Sequence, residues 1–210
     1  MTDAAKRSVP APADAVPRRQ AMLDAALGVF SRFGYRKASM DEVAQAAGFS
    51  RQGLYFYYKT KQDLFRATVL HSYTTRLDAV KAALTTKRKS FPARLVAALD
   101  EWVGRYVGSL GPNASELVEA SGLLASPVMK GYEARFEKLL AGFLSREPAL
   151  MAAYRAIGVS PIQLAQSVNA TARGFKDRSE TRRDFVVQVK TAVRMLCLPM
   201  DPRVASEIKK

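Results

Sequence analysis

The sequence predicts an all-α protein. Apolar residues recur at intervals of three and four along most of the chain, and Ser, Thr or Asn stands before several of these periodic runs. Strand signals are scarce, because β-branched residues are scattered rather than alternating with polar ones. With 210 residues, of which 48% are hydrophobic, the chain is long enough for one or two domains with a proper core.

The first segment, residues 1–17, is rich in Ala and Pro, with prolines at positions 10, 12 and 17. This composition disfavours a helix and predicts a disordered arm. Lys6, Arg7, Arg18 and Arg19 give the arm and its border four cations. Such an arm either has no role or reaches phosphates and the minor groove beside a DNA-reading helix.

The segment from Ser39 to Leu64 predicts two short helices and the start of a long one. Ser39 with Glu42 has capping-box spacing, so a helix is expected from Met40. Gly48 supplies a helix stop, and Ser50 restarts the helix at Arg51. Thr60 with Asp63 repeats the capping pattern before a helix that begins at Lys61 and runs to about Leu84.

Two short helices joined by a turn that contains Gly form a helix-turn-helix, whose second helix reads the major groove of DNA. Arg51 and Gln52 stand at the start of that helix and carry donors suited to guanine or adenine. Tyr55 and Phe56 offer aromatic surface to bases or sugars, Tyr57 and Lys61 are placed for phosphates, and Leu54 and Tyr58 face inward. An ordinary corner of a helical domain is the alternative interpretation of the same periodicity. The predicted DNA-binding set is Arg18, Arg19, Ser39, Ser50, Arg51, Gln52, Gly53, Tyr55, Phe56, Tyr57 and Lys61.

From Arg18 to about Leu70 the chain resembles the N-terminal DNA-binding domain of the TetR family of transcriptional regulators. The resemblance covers about a quarter of the chain. It is carried by Met22-Leu23, Ala25-Ala26, Phe30, Gly34-Tyr35, Met40, Val43-Ala44, Ala47-Gly48-Phe49-Ser50, Leu54-Tyr55, Lys61 and Leu64-Phe65.

Two positions depart from that family's pattern. The family usually has Gly or another small residue at position 52 and a hydroxyl residue at 53, where this chain has Gln52 and Gly53. A phosphate contact is therefore missing from the expected set, and Gln52 adds an amide that can read a base. Phe56 and Tyr58 also make this helix unusually aromatic.

The resemblance implies a helical effector-binding and dimerisation domain after the DNA-binding domain. The domains are expected at residues 18–64 and 65–200, followed by a tail over 201–210. New helices are predicted near Ser90, Asn113 and Ser126, and in the family the analogous helices enclose a small-molecule pocket. Plain core packing is the alternative for the pocket residues. The candidate ligand-binding residues are Trp102, Tyr106, Met129, Tyr132 and Phe136.

Two further helices are predicted, one from Ser160-Pro161 to about Lys176 and one from Thr181 to about Leu198. In the family such terminal helices pair with their symmetry mates as a four-helix dimer interface. A terminal hairpin that folds back on its own core is the alternative. The candidate dimer residues are Ala165, Val168, Ala172, Phe185, Val189 and Val193.

The net charge of +14 favours a polyanionic partner but does not locate the contact. Residues 1–65 hold 10 Lys and Arg against 6 Asp and Glu, whereas the rest of the chain holds 23 against 13. An anionic effector is an alternative use of the second excess. The sequence contains no run of roughly 20 apolar residues and no signal-peptide core, so a cytoplasmic protein is expected.

No catalytic pattern, cofactor or metal site is predicted. The chain has one histidine, His71, and one cysteine, Cys197, which is expected to be a small core residue. The sequence therefore predicts a homodimeric TetR-like regulator, most simply a repressor that a small molecule releases from a palindromic operator. The alternatives are a nonspecific architectural DNA-binding protein and an effector-binding module without operator specificity.

Overall fold

The computed structural model describes residues 12–108 and 113–201, and every regular element in these ranges is helical. The predicted all-α class is confirmed. Single turns of 3₁₀ helix occupy Gly104–Tyr106 and Leu198–Met200. The α-helices are α1 (Pro12–Lys37), α2 (Met40–Ala46), α3 (Arg51–Tyr57), α4 (Lys61–Thr85), α5 (Phe91–Trp102), α6 (Ala114–Leu144), α7 (Pro148–Ala156), α8 (Pro161–Arg178) and α9 (Arg182–Leu196).

The predicted helix starts of the N-terminal region are confirmed. The Ser39 hydroxyl accepts from the Glu42 amide at 3.2 Å, while the Glu42 carboxylate accepts from the Ser39 amide at 2.8 Å. Ser50 accepts from the amide of Gly53, and Thr60 from that of Asp63, both at 3.0 Å. These bonds satisfy amide groups that the first turn of a helix leaves without partners. Later helices begin in the same way at Ser90, Ser160 and Thr181.

Helix α1 begins earlier than predicted. Residues 12–17 are helical rather than disordered, because Pro12 stands in the first turn, where its missing N–H costs nothing. Pro17 is tolerated inside the helix. Residues 1–11, with Lys6 and Arg7, lie outside the described part of the chain. The helix is broken at Gly34, whose φ of 79° and ψ of 165° are open to glycine but not to other residues.

Helix α6 replaces two predicted helices. The separate helix expected from Ser126-Pro127 does not form, because the chain continues as one helix through Pro127. Proline lacks the N–H that would bond the carbonyl of Leu123 and disturbs the turn before it. Arg66 donates from Nε to the neighbouring carbonyl of Leu124 at 2.8 Å, which supplies polar contact at this weakened turn. Helix α7 was not predicted, since Glu147 before it makes no side-chain cap.

The described residues form two compact units. Unit 1 comprises the described parts of residues 1–71 and 112–125, and unit 2 those of 72–111 and 126–210. Helices α4 and α6 therefore each begin in unit 1 and end in unit 2. The core of unit 1 contains Phe30, Leu54 and Leu64, all fully buried.

Unit 2 has its own core, built from the second half of α4 and from α5, α6, α7, α8 and α9. Phe136, Leu140, Phe185 and Val189 are fully buried there. Within the described ranges, no helix combines the length and apolar character needed to cross a membrane.

Candidate nucleic-acid interface

A tight turn fixes α3 against α2. Gly48 has a φ of 68°, its amide donates to the carbonyl of Gln45 at 3.2 Å, and the Phe49 amide donates to that of Ala44 at 2.9 Å. This pair of bonds is the Schellman arrangement, which satisfies the last carbonyls of a helix and turns the chain sharply. The turn therefore sets the angle at which α3 leaves α2.

Helix α3 separates an inner from an outer face as predicted. Leu54 and Tyr58 are buried, whereas Phe56 is 77% exposed. Arg19 holds the end of α3, because its Nε donates to the Tyr58 hydroxyl at 3.0 Å and its guanidinium lies 5.7 Å from the Tyr58 ring centroid. Arg18 is exposed. Of the two predicted phosphate contacts in α1, Arg19 is thus already engaged within unit 1.

The outer face of α3 presents cationic, amide and aromatic groups together. Arg51 and Gln52 are exposed, and Tyr55 and Tyr57 are half-buried. The Arg51 guanidinium lies 3.1 Å from the Asp41 carboxylate and 5.7 Å from the Tyr55 ring centroid. Phe56 and Tyr57 meet edge to face at 5.5 Å. These contacts restrain Arg51 and the aromatic side chains before any ligand arrives.

Gly53 has a local structural explanation. It is the residue whose amide bonds the Ser50 hydroxyl, and a Cβ on Gly53 would lie 3.1 Å from that hydroxyl oxygen. A side chain at this position would therefore crowd the cap of α3. Glycine at position 53 therefore leaves room for the Ser50 cap of α3. The neighbouring Gln52 has an exposed amide side chain.

Lys61 was predicted to meet phosphates, but the structure gives it a structural role. Its ammonium donates to the carbonyls of Arg36 and Ala38 at 3.0 and 3.1 Å and lies 4.9 Å from the Tyr35 ring centroid. Two of its three donors are thus used to hold the chain between α1 and α2. The Ser39 and Ser50 hydroxyls are likewise occupied as helix caps.

Hydrogen bonding lowers the pKa of Glu42 from its ordinary value. The main cause is the bond from the Ser39 hydroxyl, and the bond from the Ser39 amide adds to it. The carboxylate of the α2 capping box is therefore ionised at neutral pH. Its charge lies at the amino end of the helix, where the helix dipole favours an anion.

Residues 22–68 match the family model described as "Bacterial regulatory proteins, tetR family". The curated relatives include the regulator AcrR of Shigella flexneri, 44% identical over 52 residues, which are 25% of this chain and 24% of AcrR. They also include the regulator RutR of Escherichia coli strain K12, 30% identical over 114 residues, which are 53% of this chain and 51% of RutR. The matches thus span about a quarter to a half of these relatives. Residues 22–68 thus belong to the TetR family of transcriptional regulators.

Solved TetR-family structures show the same fold over most of the chain. A TetR-like regulator from Rhodococcus sp. RHA1 aligns over 89% of this chain and 96% of its own, with 23% identity and a TM-score of 0.57. A TetR/AcrR-family regulator from Thermobifida fusca aligns over 85% and 96%, with 19% identity and a TM-score of 0.60. At these identities the likeness concerns the fold alone.

The predicted ligand-binding residues lie in unit 2, and two of the five pack against each other. Trp102 and Phe136 are buried and stacked at a centroid distance of 4.5 Å. The hydroxyl of Tyr106 bonds that of Ser72, and the hydroxyl of Tyr132 bonds that of Thr74, both at 2.8 Å. Met129 is half-buried. Trp102 and Phe136 are therefore core residues.

Arg76 lies among these aromatic rings. Its guanidinium carbon is 3.7 Å from the Tyr73 ring centroid and 5.2 Å from those of both Trp102 and Tyr106. One Arg76 amino group donates to the carbonyl of Trp102 at 3.4 Å, but Nε is buried without a partner among the described residues. Sequence reasoning did not identify this cluster, because the four residues come from two helices and the 3₁₀ turn after α5.

The predicted dimer residues also face inward. Ala165, Ala172, Phe185, Val189 and Val193 are buried in the core of unit 2, and Val168 packs against that core. An apolar cavity of about 440 Å³ between α8, α9 and α7 is lined by four of them, Val168, Ala172, Val189 and Val193. Within a single chain these side chains thus belong to the core of unit 2, and the dimer contact stays a prediction. Periodicity identified the stripe that each helix buries in its own chain.

A second cluster that sequence reasoning did not assign joins α6 to α1 within unit 1. The Glu116 carboxylate accepts from the Arg36 amide at 2.6 Å, and the Asn113 side-chain amide donates to the Arg32 carbonyl at 2.7 Å. Glu119 forms an ion pair with the Arg36 guanidinium at 3.5 Å. Both carboxylates thus contact the broken end of α1.

Proposed function

We propose that this TetR-family protein binds a specific DNA operator through α3. The observation that carries the proposal is the outer face of α3, where Arg51, Gln52 and the exposed Phe56 stand together on a helix fixed by the Schellman turn. Arg51 can donate to guanine and Gln52 can pair with adenine in the major groove. Phe56 supplies an apolar contact for a thymine methyl group.

The contact between Arg51 and Asp41 also supports this proposal. The carboxylate restrains the guanidinium at the start of α3 in the free protein, which reduces the ordering that DNA binding requires. An exposed ion pair of this kind is weak, so a guanine edge and nearby phosphates can replace it. The net charge of +14 speeds the approach to DNA and makes affinity depend on salt.

We further propose a homodimer that reads a palindrome. Helix α3 is only seven residues long and presents few base-reading side chains. Two copies related by a two-fold axis double the base contacts, and half-sites one helical turn apart match that symmetry. The domain assignment at residues 18–64 and 65–200 is part of the proposal, with residues 113–125 added to the DNA-binding side.

Regulation by a small molecule completes the proposed function. Helices α4 and α6 both begin in unit 1 and end in unit 2, so a ligand that favours one arrangement of their unit 2 parts can bias the other ends. Glu116 and Asn113 attach the start of α6 to the end of α1. Helix α6 can therefore transmit the effect of a ligand as well as α4. In the simplest case the effector weakens operator binding and the protein is a repressor; by linkage, DNA then weakens effector binding equally.

The proposal is tested by selecting bound sequences from a random duplex pool with the full chain at moderate salt. We expect a single palindrome with half-sites about one helical turn apart. Repeating the selection with Gln52→Ala is expected to relax the preference at one position in each half-site and leave the others unchanged. Gln45→Ala, which removes an exposed glutamine from α2, is the matched control and is expected to select the parent palindrome.

Two results would contradict the proposal. A pool that binds with a steep salt dependence but yields no enriched sequence would indicate an architectural DNA-binding protein. A pool that is not retained at all would indicate an effector-binding module without DNA function. The selection therefore distinguishes all three functions.

A further inference from the structure

A basic cleft of about 410 Å³ lies in unit 2 between α4 and α6. Its volume is within the range of small-molecule sites in proteins. Its floor is apolar, formed by the buried Leu77, the half-buried Leu139 and the half-buried ring of Tyr132. Its rim carries three cations, Lys81 from α4 and Arg135 and Lys138 from α6.

The rim has more positive charge than the protein neutralises. Asp78 is the acid among the residues that line the cleft, and it already pairs with Lys81 at 2.9 Å. Neither Arg135 nor Lys138 has an acidic partner within salt-bridge distance in the described part of the chain. Like charges gathered around one concave site repel one another, and an anion in that site relieves the repulsion.

The cleft is also partly ordered in advance. The Arg135 guanidinium lies 5.0 Å from the Tyr132 ring centroid, and the Tyr132 hydroxyl bonds that of Thr74 at 2.8 Å across the gap between α6 and α4. These contacts fix the position of the Tyr132 ring and keep the Arg135 guanidinium beside it. A planar guanidinium presents paired N–H donors that match a carboxylate.

We infer that this cleft binds a small amphipathic carboxylate, with the anionic group between Arg135 and Lys138 and the apolar part against Leu77, Leu139 and Tyr132. An apolar floor under a cationic rim favours an amphipathic carboxylate over two other classes of ligand. A small inorganic anion leaves the floor uncovered, and an organic cation is repelled by the rim. The site lies between the helices that pass from unit 1 to unit 2, so its occupant is a candidate effector. That regulatory consequence rests on the proposed function, whereas binding of the anion does not.

Octanoate is a suitable probe, with octylamine and inorganic phosphate as comparisons. Binding to the full chain is measured by isothermal titration calorimetry and by the fluorescence of Trp102, the single tryptophan. Tyr73 connects the cleft to this reporter, because its ring lies 5.7 Å from those of both Tyr132 and Trp102. We expect octanoate to bind in the micromolar to millimolar range, more weakly as salt rises, and more tightly than either comparison compound.

Three variants make the test specific. R135Q/K138Q is expected to weaken octanoate binding about tenfold or more, because a charged hydrogen-bond donor contributes roughly that factor. Asp78→Asn is expected to tighten binding several-fold, since it frees Lys81 from its carboxylate; misfolding cannot produce this gain. Lys190→Gln, an exposed lysine of α9 outside the cleft, is the matched control and is expected to leave the affinity unchanged.

The inference is overturned if octanoate does not bind, if phosphate binds equally well, or if R135Q/K138Q binds octanoate like the parent chain. The last result would place the ligand elsewhere, as in the apolar cavity between α8 and α9. Operator binding by the ligand-free chain is measured separately by the duplex selection. If octanoate does not bind the cleft, the proposed DNA function is not affected. If the duplex selection yields no bound DNA, the proposed anion site is not affected.

Discussion

Gly28 and Gly34 lie in the same helix and respond to an added side chain in opposite ways. Gly34 has a φ of 79°, and a Cβ there would crowd the Glu116 carboxylate. Gly28 is helical, exposed and has open space where a Cβ would stand. We expect Gly34→Ala to lower the free energy of unfolding by about 1 to 3 kcal/mol, because only glycine occupies that backbone region without strain.

Gly28→Ala is the control and is expected to raise the free energy of unfolding by about 0.5 to 1 kcal/mol, because alanine favours a helix. Urea denaturation of both variants measures the difference. Equal midpoints for the two variants would show that the break at Gly34 does not need glycine.

The single cysteine is protected by burial. Burial raises the pKa of the Cys197 thiol from 9.0 to about 11, and the nearby Glu147 carboxylate adds to the shift. The folded state therefore favours the neutral thiol. This stabilisation is complete below the unfolded-state pKa near 9 and is lost as pH rises from about 9 towards 11.

We accordingly expect slow reaction of Cys197 with iodoacetamide in the folded protein at pH 8, and fast reaction after unfolding in guanidinium. Stability measured from pH 8 to 11 is expected to fall more steeply for the parent chain than for Cys197→Ala. Rapid alkylation of the folded protein at neutral pH would contradict the assignment of this thiol to the core.

At the scale of elements, the junction of α6 with α1 can be tested directly. Glu116→Ala removes the acceptor of the Arg36 amide and is expected to speed hydrogen exchange in peptides that cover residues 33–39, because the end of α1 opens more often. Glu119→Ala removes only an exposed ion pair with Arg36 and is expected to change exchange much less. Equal exchange in Glu116→Ala and the parent chain would show that α6 does not stabilise this end.

The same elements show which features a sequence can predict. The starts of α2, α3 and α4 were predicted correctly, because their caps are formed by residues three positions apart. The continuation of α6 through Pro127 was missed, since local rules favour a helix start at Ser-Pro and tertiary packing decides whether the preceding helix continues. The attachment of Glu116 to Arg36 spans 80 residues and leaves no local pattern.

For the molecule as a whole, we propose a dimer contact on the exposed face of α9, beside the buried stripe predicted from the sequence. Helical spacing identifies apolar stripes, but it does not tell whether a stripe meets its own chain or a partner. Val187 and Met195 of α9 remain 56% and 66% exposed. An exposed apolar face of this kind is a candidate contact for a second copy.

We expect V187E/M195E to shift the protein from dimer to monomer in sedimentation velocity without loss of helical content, since neither side chain belongs to the core. Leu123→Glu, which places the same charge at an exposed leucine of unit 1, is the control and is expected to leave the dimer intact. A dimer that survives V187E/M195E would place the interface elsewhere.

The central claim is that α3 reads DNA sequence, and a ratio of two dissociation constants tests it most directly. The full chain is titrated by fluorescence anisotropy against its selected palindrome and a scrambled duplex of equal length and composition at moderate salt. We expect the palindrome to bind at least about a thousandfold more tightly, in line with specific regulators. Equal dissociation constants for the two duplexes would contradict the claim.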